Sequence, residues 1–238
     1  MDADKQACNP ERRQATVLFA DISGFTSMSE KLDPEEVMYL MNACFACLEA
    51  AVCAHGGVVD KYLGDCIMAL FGVPLTLENA PRQAIKAAIE MRSRIDELNR
   101  ERRLPLPLSV HIGIDSGLVI AGDVGGQVKR DFTVIGGTVN RASRLKDASS
   151  SGQIWVGPDT YRCTKDEFLY KELHPIVLKG KEEPISGFEL LSGGERVNQS
   201  TVPRRERMIF PALVATTLKG IGKSLGNFVQ LSGRGAPV

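Results

Sequence analysis

The hydrophobic positions of this chain change their period several times, and each period predicts an element of secondary structure. A nearly continuous apolar run over residues 15–22 is typical of a buried β-strand. After it, apolar residues recur every three or four positions: Val37, Leu40, Met41, Cys44, Phe45, Leu48 and Val52. This spacing places them on one face, so we expect an amphipathic helix with one buried side.

Capping signals mark both ends of this helix. Asp33 suits the N-cap, Pro34 the first helical position and Glu36 the third, which together form an acidic version of the capping box. The helix is expected to end near His55, because the glycine pair at 56–57 favours a C-terminal break.

The remaining periods predict a mixed α+β domain. The expected elements are a hairpin over 58–72, a helix over 79–102, a strand over 108–114 that continues towards 120, a strand over 132–135, a helix over 138–148, a strand over 154–156, a short helix over 158–163, and strands over 176–178 and 188–191. The order strand, helix, hairpin, helix, strand is that of a split βαβ unit. We therefore predict a ferredoxin-like (palm-like) α+β fold. Its sheet is mainly antiparallel, and the helices that pack around the sheet are expected on one face.

Composition and charge divide the chain of 238 residues into three parts. We expect a leader over 1–12, one catalytic domain over 13–193 and a tail over 194–238 that is flexible or partly helical. From residue 193 onwards there are seven basic and two acidic residues, whereas the whole chain has zero net charge. This balance gives no reason to expect nucleic acid as a partner.

Localisation follows from what the sequence lacks. No stretch approaches the ~18 consecutive apolar residues of a transmembrane segment. The acidic, polar N-terminus does not resemble a signal peptide, so we expect a cytoplasmic protein. Cys44 and Cys47 form a CxxC pattern, but they fall inside the predicted helix, where small buried thiols are the simpler interpretation.

Two aspartates stand where predicted strands end. Asp21 closes the first apolar run and is followed by a glycine at 24, and Asp65 follows Gly64 in the predicted hairpin turn. The alternative for Asp21 alone is a cap of the next helix or turn. In a split βαβ unit the two positions are neighbours, and paired carboxylates can hold Mg²⁺ together with substrate phosphates. Two such ions suit in-line displacement at phosphorus.

Three further residues offer polar or cationic groups to phosphates and sugar. Asn140 and Arg144 are four residues apart on one face of a predicted helix, and an arginine there can bind phosphoryl oxygens bidentately. Lys179 offers a compact charge to a terminal phosphate. Taken singly, each of the three is also compatible with an ordinary solvated surface position.

From about residue 13 to residue 191, three quarters of its length, the chain resembles the catalytic domain of the class III nucleotidyl cyclases. The resemblance is carried by six segments in the family's order: 19–26 (FADISGFT), 60–65 (DKYLGD), 111–117 (HIGIDSG), 132–136 (FTVIG), 139–145 (VNRASRL) and 178–181 (LKGK). Several motifs in register are far more specific than a single one.

The resemblance implies a role for each matching position. Asp21 and Asp65, with Ile22 beside them, match the binding site for two Mg²⁺ or Mn²⁺ ions. Asn140 matches the residue that orients the ribose, and Arg144 the one that stabilises the transition state. The positions that match triphosphate contacts are Ile22, Ser23, Gly24, Phe25, Thr26, Lys129 and Lys179. Lys129 stands where relatives often have arginine, and Arg130 is the neighbouring alternative.

Lys61 and Thr133 match the pair that recognises the purine. Lys61 can donate to adenine N1, and Thr133 can accept from the 6-amino group, whereas guanine presents the reverse pattern. This pair is typical of the adenylate cyclases with threonine at the second position. Bicarbonate often stimulates that subgroup and is therefore a candidate activator, as an upstream sensor or regulatory domain is a candidate partner.

The resemblance therefore implies an adenylate cyclase that converts ATP to 3′,5′-cyclic AMP and pyrophosphate. The family's sites lie at a dimer interface, and because this chain carries every role, we expect a homodimer. The alternatives are a guanylate cyclase that makes cyclic GMP and a non-catalytic nucleotide-binding regulatory module of the same fold.

Overall fold

A computed structural model of the chain describes residues 9–102, 104, 107–126, 128, 130–174 and 186–192. In this part of the chain, eight strands and five helices follow in the order β1 Glu11–Ser23, α1 Phe25–Ser29, α2 Pro34–Ala54, β2 Val58–Leu63, β3 Cys66–Phe71, α3 Ala80–Arg102, β4 Ser109–Gly125, β5 Arg130–Ile135, α4 Gly137–Ala148, β6 Ile154–Val156, α5 Pro158–Thr164, β7 Leu169–Glu172 and β8 Phe188–Ser192.

Most predicted elements are confirmed, with differences at their ends. The acidic capping box at the start of α2 is present, with Asp33 as N-cap and Pro34 in the first turn. Strand β1 begins at Glu11, four residues earlier than predicted, because it pairs with the long β4 as far as Ala121. Helix α1 and strand β7 were not predicted. The strand predicted over 176–178 and the tail lie outside the described residues.

The strands form one mixed sheet in the order β2-β3-β1-β4-β6-β8-β7, and β5 pairs with the far end of β4. Strand β1 runs antiparallel to both β3 and β4 at the centre of the sheet. Asp21, near the end of β1, lies opposite Cys66 of β3 on one side and His111 of β4 on the other. The sheet therefore places Asp21 between two strands that supply neighbours from distant parts of the sequence.

The prediction that all helices lie on one face of the sheet is wrong. Leu18, Ala20 and Ile22 of β1 belong to a core with α2 and α3, whereas Val17 and Phe19 belong to a second core with β5 and α4. Because side chains alternate along a strand, a run that is apolar at every position has two covered faces.

Helix α4 lies directly on β4, and Gly113 makes this close approach possible. A Cβ atom at Gly113 would lie 2.2 Å from the carbonyl oxygen of Ala142 and 2.3 Å from the backbone nitrogen of Lys146. Any side chain there would push α4 away from the sheet. The contact therefore sets the distance between the sheet and α4, the helix that carries Asn140 and Arg144.

Helix α2 is the one helix in the described ranges that is long and apolar enough to cross a membrane, with a mean hydropathy of 1.7. Its buried side chains contribute to the core shared with α3 and the sheet: Leu40, Ala43, Cys44, Leu48, Ala51 and Val52. We therefore describe α2 as a core helix of this domain.

A buried ion pair also ties α4 to the sheet. Arg141 Nε donates to Oδ2 of Asp115, which lies on β4 and is 0% exposed, over 2.7 Å. Asp115 Oδ1 has no hydrogen-bond partner within the described ranges. Burial raises the pKa of Asp115 to about 6, against the lowering effect of Arg141.

Asp115 should make the stability of the fold depend on pH. Its folded pKa lies above the ~3.9 of an unfolded chain, so its contribution is fully present below about pH 4 and is lost as the pH rises through about 6. Relative to Asp115→Asn, we expect the unfolding free energy of the wild type to fall by about 2–3 kcal/mol between pH 4 and pH 7. Urea unfolding at several pH values tests this, and parallel pH profiles for the two proteins would contradict it.

Candidate active site

The carboxylate of Asp21 is half-buried between the side chains of His111 and Lys146. His111 Nε2 lies 3.3 Å from Oδ1, and Lys146 Nζ donates to Oδ2 over 3.3 Å. The hydrogen bond with His111 holds the pKa of Asp21 below its usual range, and Lys146 acts in the same direction against the opposing effect of burial. Asp21 is therefore ionised at neutral pH, which is the form that binds a metal ion.

Asp65 lies beside Asp21, as the predicted strand ends require. The backbone nitrogen of Ile22 donates to the carbonyl oxygen of Asp65 over 3.3 Å, which joins the end of β1 to the β2–β3 turn. Burial raises the pKa of the Cys66 thiol to about 12, and the negative charges of Asp21 and Asp65 add to this rise. Both carboxylates are therefore close enough to Cys66 to affect its pKa, which places them at the same edge of the sheet.

His111 and Lys146 are site neighbours that the sequence reasoning missed. The sequence predicts no chemical role for His111. Lys146 comes directly after the segment 139–145 that matches the family. His111 Nδ1 also lies 2.9 Å from the carbonyl oxygen of Lys146, so the two residues support one another. The signal that could have found His111 is its place in the motif at 111–117, on the strand next to Asp21.

The predicted purine pair does come together. Lys61 Nζ donates to Thr133 Oγ1 over 2.9 Å, although the residues are 72 positions apart on β2 and β5. Lys61 is half-buried and Thr133 is buried. The carboxylate of Asp60, which the sequence reasoning did not single out, contacts both of them.

Asn140 and Arg144 share a face of α4 that does not point towards the sheet. The buried residues of α4 are Thr138, Ala142 and Leu145, and helical spacing places Asn140 and Arg144 on the other side. Asn140 is exposed and Arg144 is half-buried. Arg144 Nη1 is buried without a hydrogen-bond partner in the described part of the chain. A buried guanidinium nitrogen in this state is suited to an anionic ligand.

The segment from Ile22 to Thr26 connects β1 to the single-turn helix α1. Gly24 has a φ of +88°, a left-handed conformation that favours glycine, and its carbonyl oxygen accepts from the backbone nitrogen of Met28 over 3.1 Å. Phe25 is buried and anchors the turn, whereas Ser23 is half-buried. The predicted triphosphate contacts Lys129 and Lys179 lie outside the described residues.

These groups fall into two sets within one chain. Asp21, Asp65 and the turn after β1 form one set, and Lys61 and Thr133 are held together in another. On α4, Lys146 faces its own Asp21, whereas Arg144 lies on the other side of the same helix.

Residues 8–191 match the family described as adenylate and guanylate cyclase catalytic domain. The chain therefore belongs to the class III nucleotidyl cyclase family. Over 189 residues the chain is 38% identical to an adenylate cyclase of Anabaena cylindrica, a match that covers 75% of this chain and 37% of that protein. An adenylate cyclase of Mycobacterium bovis is 34% identical over 168 residues, with coverages of 71% and 37%. The chain therefore spans about a third of the length of these curated relatives.

Solved structures show the same fold. The crystal structure of the adenylyl cyclase CyaB from P. aeruginosa has a TM-score of 0.76 and 32% identity, and the match covers 79% of this chain and 99% of that chain. The guanylyl cyclase Cya2 has a TM-score of 0.71 and the same 32% identity, with coverages of 79% and 97%. The predicted palm-like α+β fold is therefore confirmed.

The family uses divalent metal ions. Among the described residues, no group of three or more His, Cys, Asp or Glu side chains could hold such an ion by itself. The predicted donors are the carboxylates of Asp21 and Asp65 and the backbone carbonyl of Ile22. They are oxygen ligands of the kind that Mg²⁺ and Mn²⁺ prefer, and they would act together with substrate phosphates. The lowered pKa of Asp21 keeps one of them ionised. Nothing in this donor set favours a softer metal.

Lys146 should oppose metal binding, since its ammonium group already occupies one side of Asp21. We expect Lys146→Gln to bind Mn²⁺ about threefold to tenfold more tightly, because a like charge at this distance costs on the order of 1 kcal/mol. The effect is limited because Lys146 also pairs with Asp147 over 2.6 Å and can turn away from Asp21. Titration calorimetry measures the affinity, with the exposed Lys165→Gln as control. Weaker binding by Lys146→Gln would show instead that Lys146 holds Asp21 in the metal-binding geometry.

Proposed function

We propose that this domain is an adenylate cyclase that converts ATP to 3′,5′-cyclic AMP and pyrophosphate. The observation that carries the proposal is the hydrogen bond of 2.9 Å between Lys61 and Thr133. It joins a donor and a hydroxyl at the two positions that match the family's purine-recognising pair. The adenylate cyclases among its relatives and structural neighbours support the same activity.

In the proposed reaction, the ribose 3′-oxygen attacks the α-phosphorus in line with the bond to the leaving pyrophosphate. A bond forms between the 3′-oxygen and phosphorus, the bond from phosphorus to the bridging oxygen breaks, and the 3′-hydroxyl proton passes to solvent. Two divalent ions held by Asp21, Ile22 and Asp65 would supply charge for the attacking and leaving oxygens. The other groups of the site bind and orient the substrate.

The other residues act on charge and geometry. Arg144 stabilises the negative charge that develops on the phosphoryl oxygens. Its buried Nη1, which has no hydrogen-bond partner among the described residues, is suited to this role. Asn140 orients the ribose so that the 3′-oxygen lies near the phosphorus. The backbone amides from Ile22 to Thr26 form a concave anion site for the triphosphate, to which Lys129 and Lys179 add charge.

We further propose that two copies of the chain build two composite sites. The proposal rests on Arg144 lying on the side of α4 away from its own Asp21, and on the apolar surface around Thr133. Four exposed residues of the β4–β5 hairpin share one face with Thr133: Leu118, Ile120, Val124 and Ile135. An apolar surface beside half of a site is typical of an interface with a second subunit.

A guanylate cyclase is the second candidate, because the guanylyl cyclase Cya2 is as similar in sequence as the adenylyl cyclase CyaB. Overall identity therefore does not decide the base, and we base the choice on Lys61 and Thr133. A non-catalytic module is disfavoured, because Asp21, Asp65, Asn140 and Arg144 are all present. Cytoplasmic localisation, bicarbonate activation and an upstream regulatory domain stay predictions.

The test is to incubate the purified protein with ATP or with GTP in the presence of Mn²⁺ and to identify the products by mass spectrometry. We expect cyclic AMP from ATP and little cyclic GMP from GTP. Cyclic GMP alone would contradict the assignment of the base, and no product from either nucleotide would favour the binding module.

A further inference from the structure

The carboxylate of Asp60 lies behind the Lys61–Thr133 pair and bonds to both members. Thr133 Oγ1 donates to Asp60 Oδ2 over 2.8 Å, and Lys61 Nζ lies 2.9 Å from the same oxygen. The side chain of Asp60 is 3% exposed, whereas that of Lys61 is 37% exposed. Asp60 is therefore almost closed to solvent, and the two side chains that it contacts are its route to a ligand.

A β-bulge makes this three-residue contact possible. Asp60 and Lys61 are consecutive in β2, so a regular strand would point their side chains to opposite faces. The register of β2 against β3 shifts at this point: Val59 pairs with Ala69 and Lys61 pairs with Met68, which leaves Asp60 as the extra residue. A bulge redirects side chains, and here both side chains reach the same hydroxyl on β5.

The three contacts decide what Thr133 can offer to a ligand. A hydroxyl has one proton and two lone pairs. The proton is donated to Asp60 and one lone pair accepts from Lys61, so a single lone pair is left. Lys61 has three protons, of which two face Thr133 and Asp60. Towards a ligand, the pair therefore presents one acceptor, on Thr133, and one donor, on Lys61.

We propose that Asp60 is a positioning residue that holds the Thr133 hydroxyl as an acceptor and thereby makes the pair select adenine over guanine. This inference rests on the proposed function. The adenine 6-amino group can donate to Thr133, and N1 can accept from Lys61. Guanine would set its O6 against the Thr133 lone pair and its ring N–H against Lys61. A hydroxyl without Asp60 could rotate and donate to O6, which removes half of this mismatch.

Asp60→Ala tests the inference through the ratio of kcat/KM for ATP to kcat/KM for GTP. We expect the ratio to fall about tenfold, since one unfavourable polar contact with guanine is relieved. The matched variant Asp60→Asn keeps an acceptor oxygen in the same place and should keep most of the preference. A purely structural role would lower both kcat/KM values together and leave the ratio unchanged, which would overturn the inference.

A double-mutant cycle with Thr133→Val tests the path of the effect. Valine has nearly the shape of threonine but no hydroxyl, so Thr133→Val alone should lower the ATP-to-GTP ratio to a similar degree even if Asp60→Ala does not fold. In the Thr133→Val background, Asp60→Ala should change the ratio less than about twofold. If it changes the ratio as much as in the wild type, Asp60 does not act through Thr133 and the inference is wrong.

The outcomes separate this inference from the proposed function. A wild-type protein that makes cyclic AMP, together with an unchanged ratio in Asp60→Ala, overturns the role of Asp60 alone. A wild-type protein that makes no cyclic nucleotide overturns the proposed function. In that case the affinities for 3′-deoxy-ATP and 3′-deoxy-GTP, which cannot cyclise, still decide: a lower preference for the adenine analogue in Asp60→Ala supports the inference, and an unchanged one refutes it.

Discussion

Asp21→Asn is expected to lower the rate of cyclic AMP formation by roughly 10²–10³-fold at saturating ATP and Mn²⁺. Asparagine has nearly the shape of aspartate but removes the negative charge that, with Asp65, would hold the metal ions. In the wild type this charge is maintained by the lowered pKa of Asp21.

The control for this prediction is Asp96→Asn, the same chemical change at an exposed position of α3. It should leave the rate within about twofold, as surface substitutions usually do. Thermal unfolding of both variants separates loss of chemistry from loss of fold. An Asp21→Asn protein that keeps more than a tenth of the wild-type rate would contradict the assignment of Asp21 as a metal ligand.

Arg144→Ala should lower the rate by about 10²–10³-fold on its own and should recover activity when it is mixed with Asp21→Asn. If the sites are composite, a mixed dimer has one site with both defects and one site with none. Tandem purification of two co-expressed, differently tagged chains isolates the mixed dimers. Because each mixed dimer has one intact site of two, its rate should be about half of the wild-type rate.

A matched pair makes the mixing experiment decisive. Asp21→Asn mixed with Asp65→Asn should not recover, because the backbone contact between Ile22 and Asp65 puts both carboxylates in the same half of a site. Recovery in this control would mean that Asp21 and Asp65 serve different sites. Failure of the Arg144→Ala and Asp21→Asn mixture to recover would contradict the composite site itself.

Local signals in the sequence were sufficient for most elements of the fold. The capping residues Asp33, Pro34 and Glu36 predicted the start of α2, and Gly64 predicted the turn that precedes Asp65. Such signals act between residues that are close in the chain, so they can be read without knowing the fold. The side of the sheet on which α4 lies could not be read in this way, because an apolar run such as 15–22 does not reveal what covers each face.

The site residues also divide into those that the sequence predicted and those that only the structure revealed. Asp21 and Asp65 were predicted from strand ends, Asn140 and Arg144 from a shared helix face, and Lys61 and Thr133 from the family motifs. The structure adds that Lys61 and Thr133 are in contact. His111, Lys146 and Asp60 entered only through their contacts. Lys146 reaches Asp21 across 125 positions of the sequence, and Asp60 reaches Thr133 across 73. Their roles, like those of the motif residues, stay predictions until the variants are measured.

By itself, the sequence determined that this chain has a class III cyclase domain with two aspartates at strand ends, and it predicted a lysine and a threonine for the purine. Only the tertiary structure decided how these side chains are oriented. The bulge at Asp60 turns two consecutive side chains to one hydroxyl, and Gly113 lets α4 approach the sheet so that Lys146 meets Asp21. The physical reason is that hydrogen-bond direction depends on strand register and on the distance between packed elements, and both are set by contacts between residues far apart in the chain.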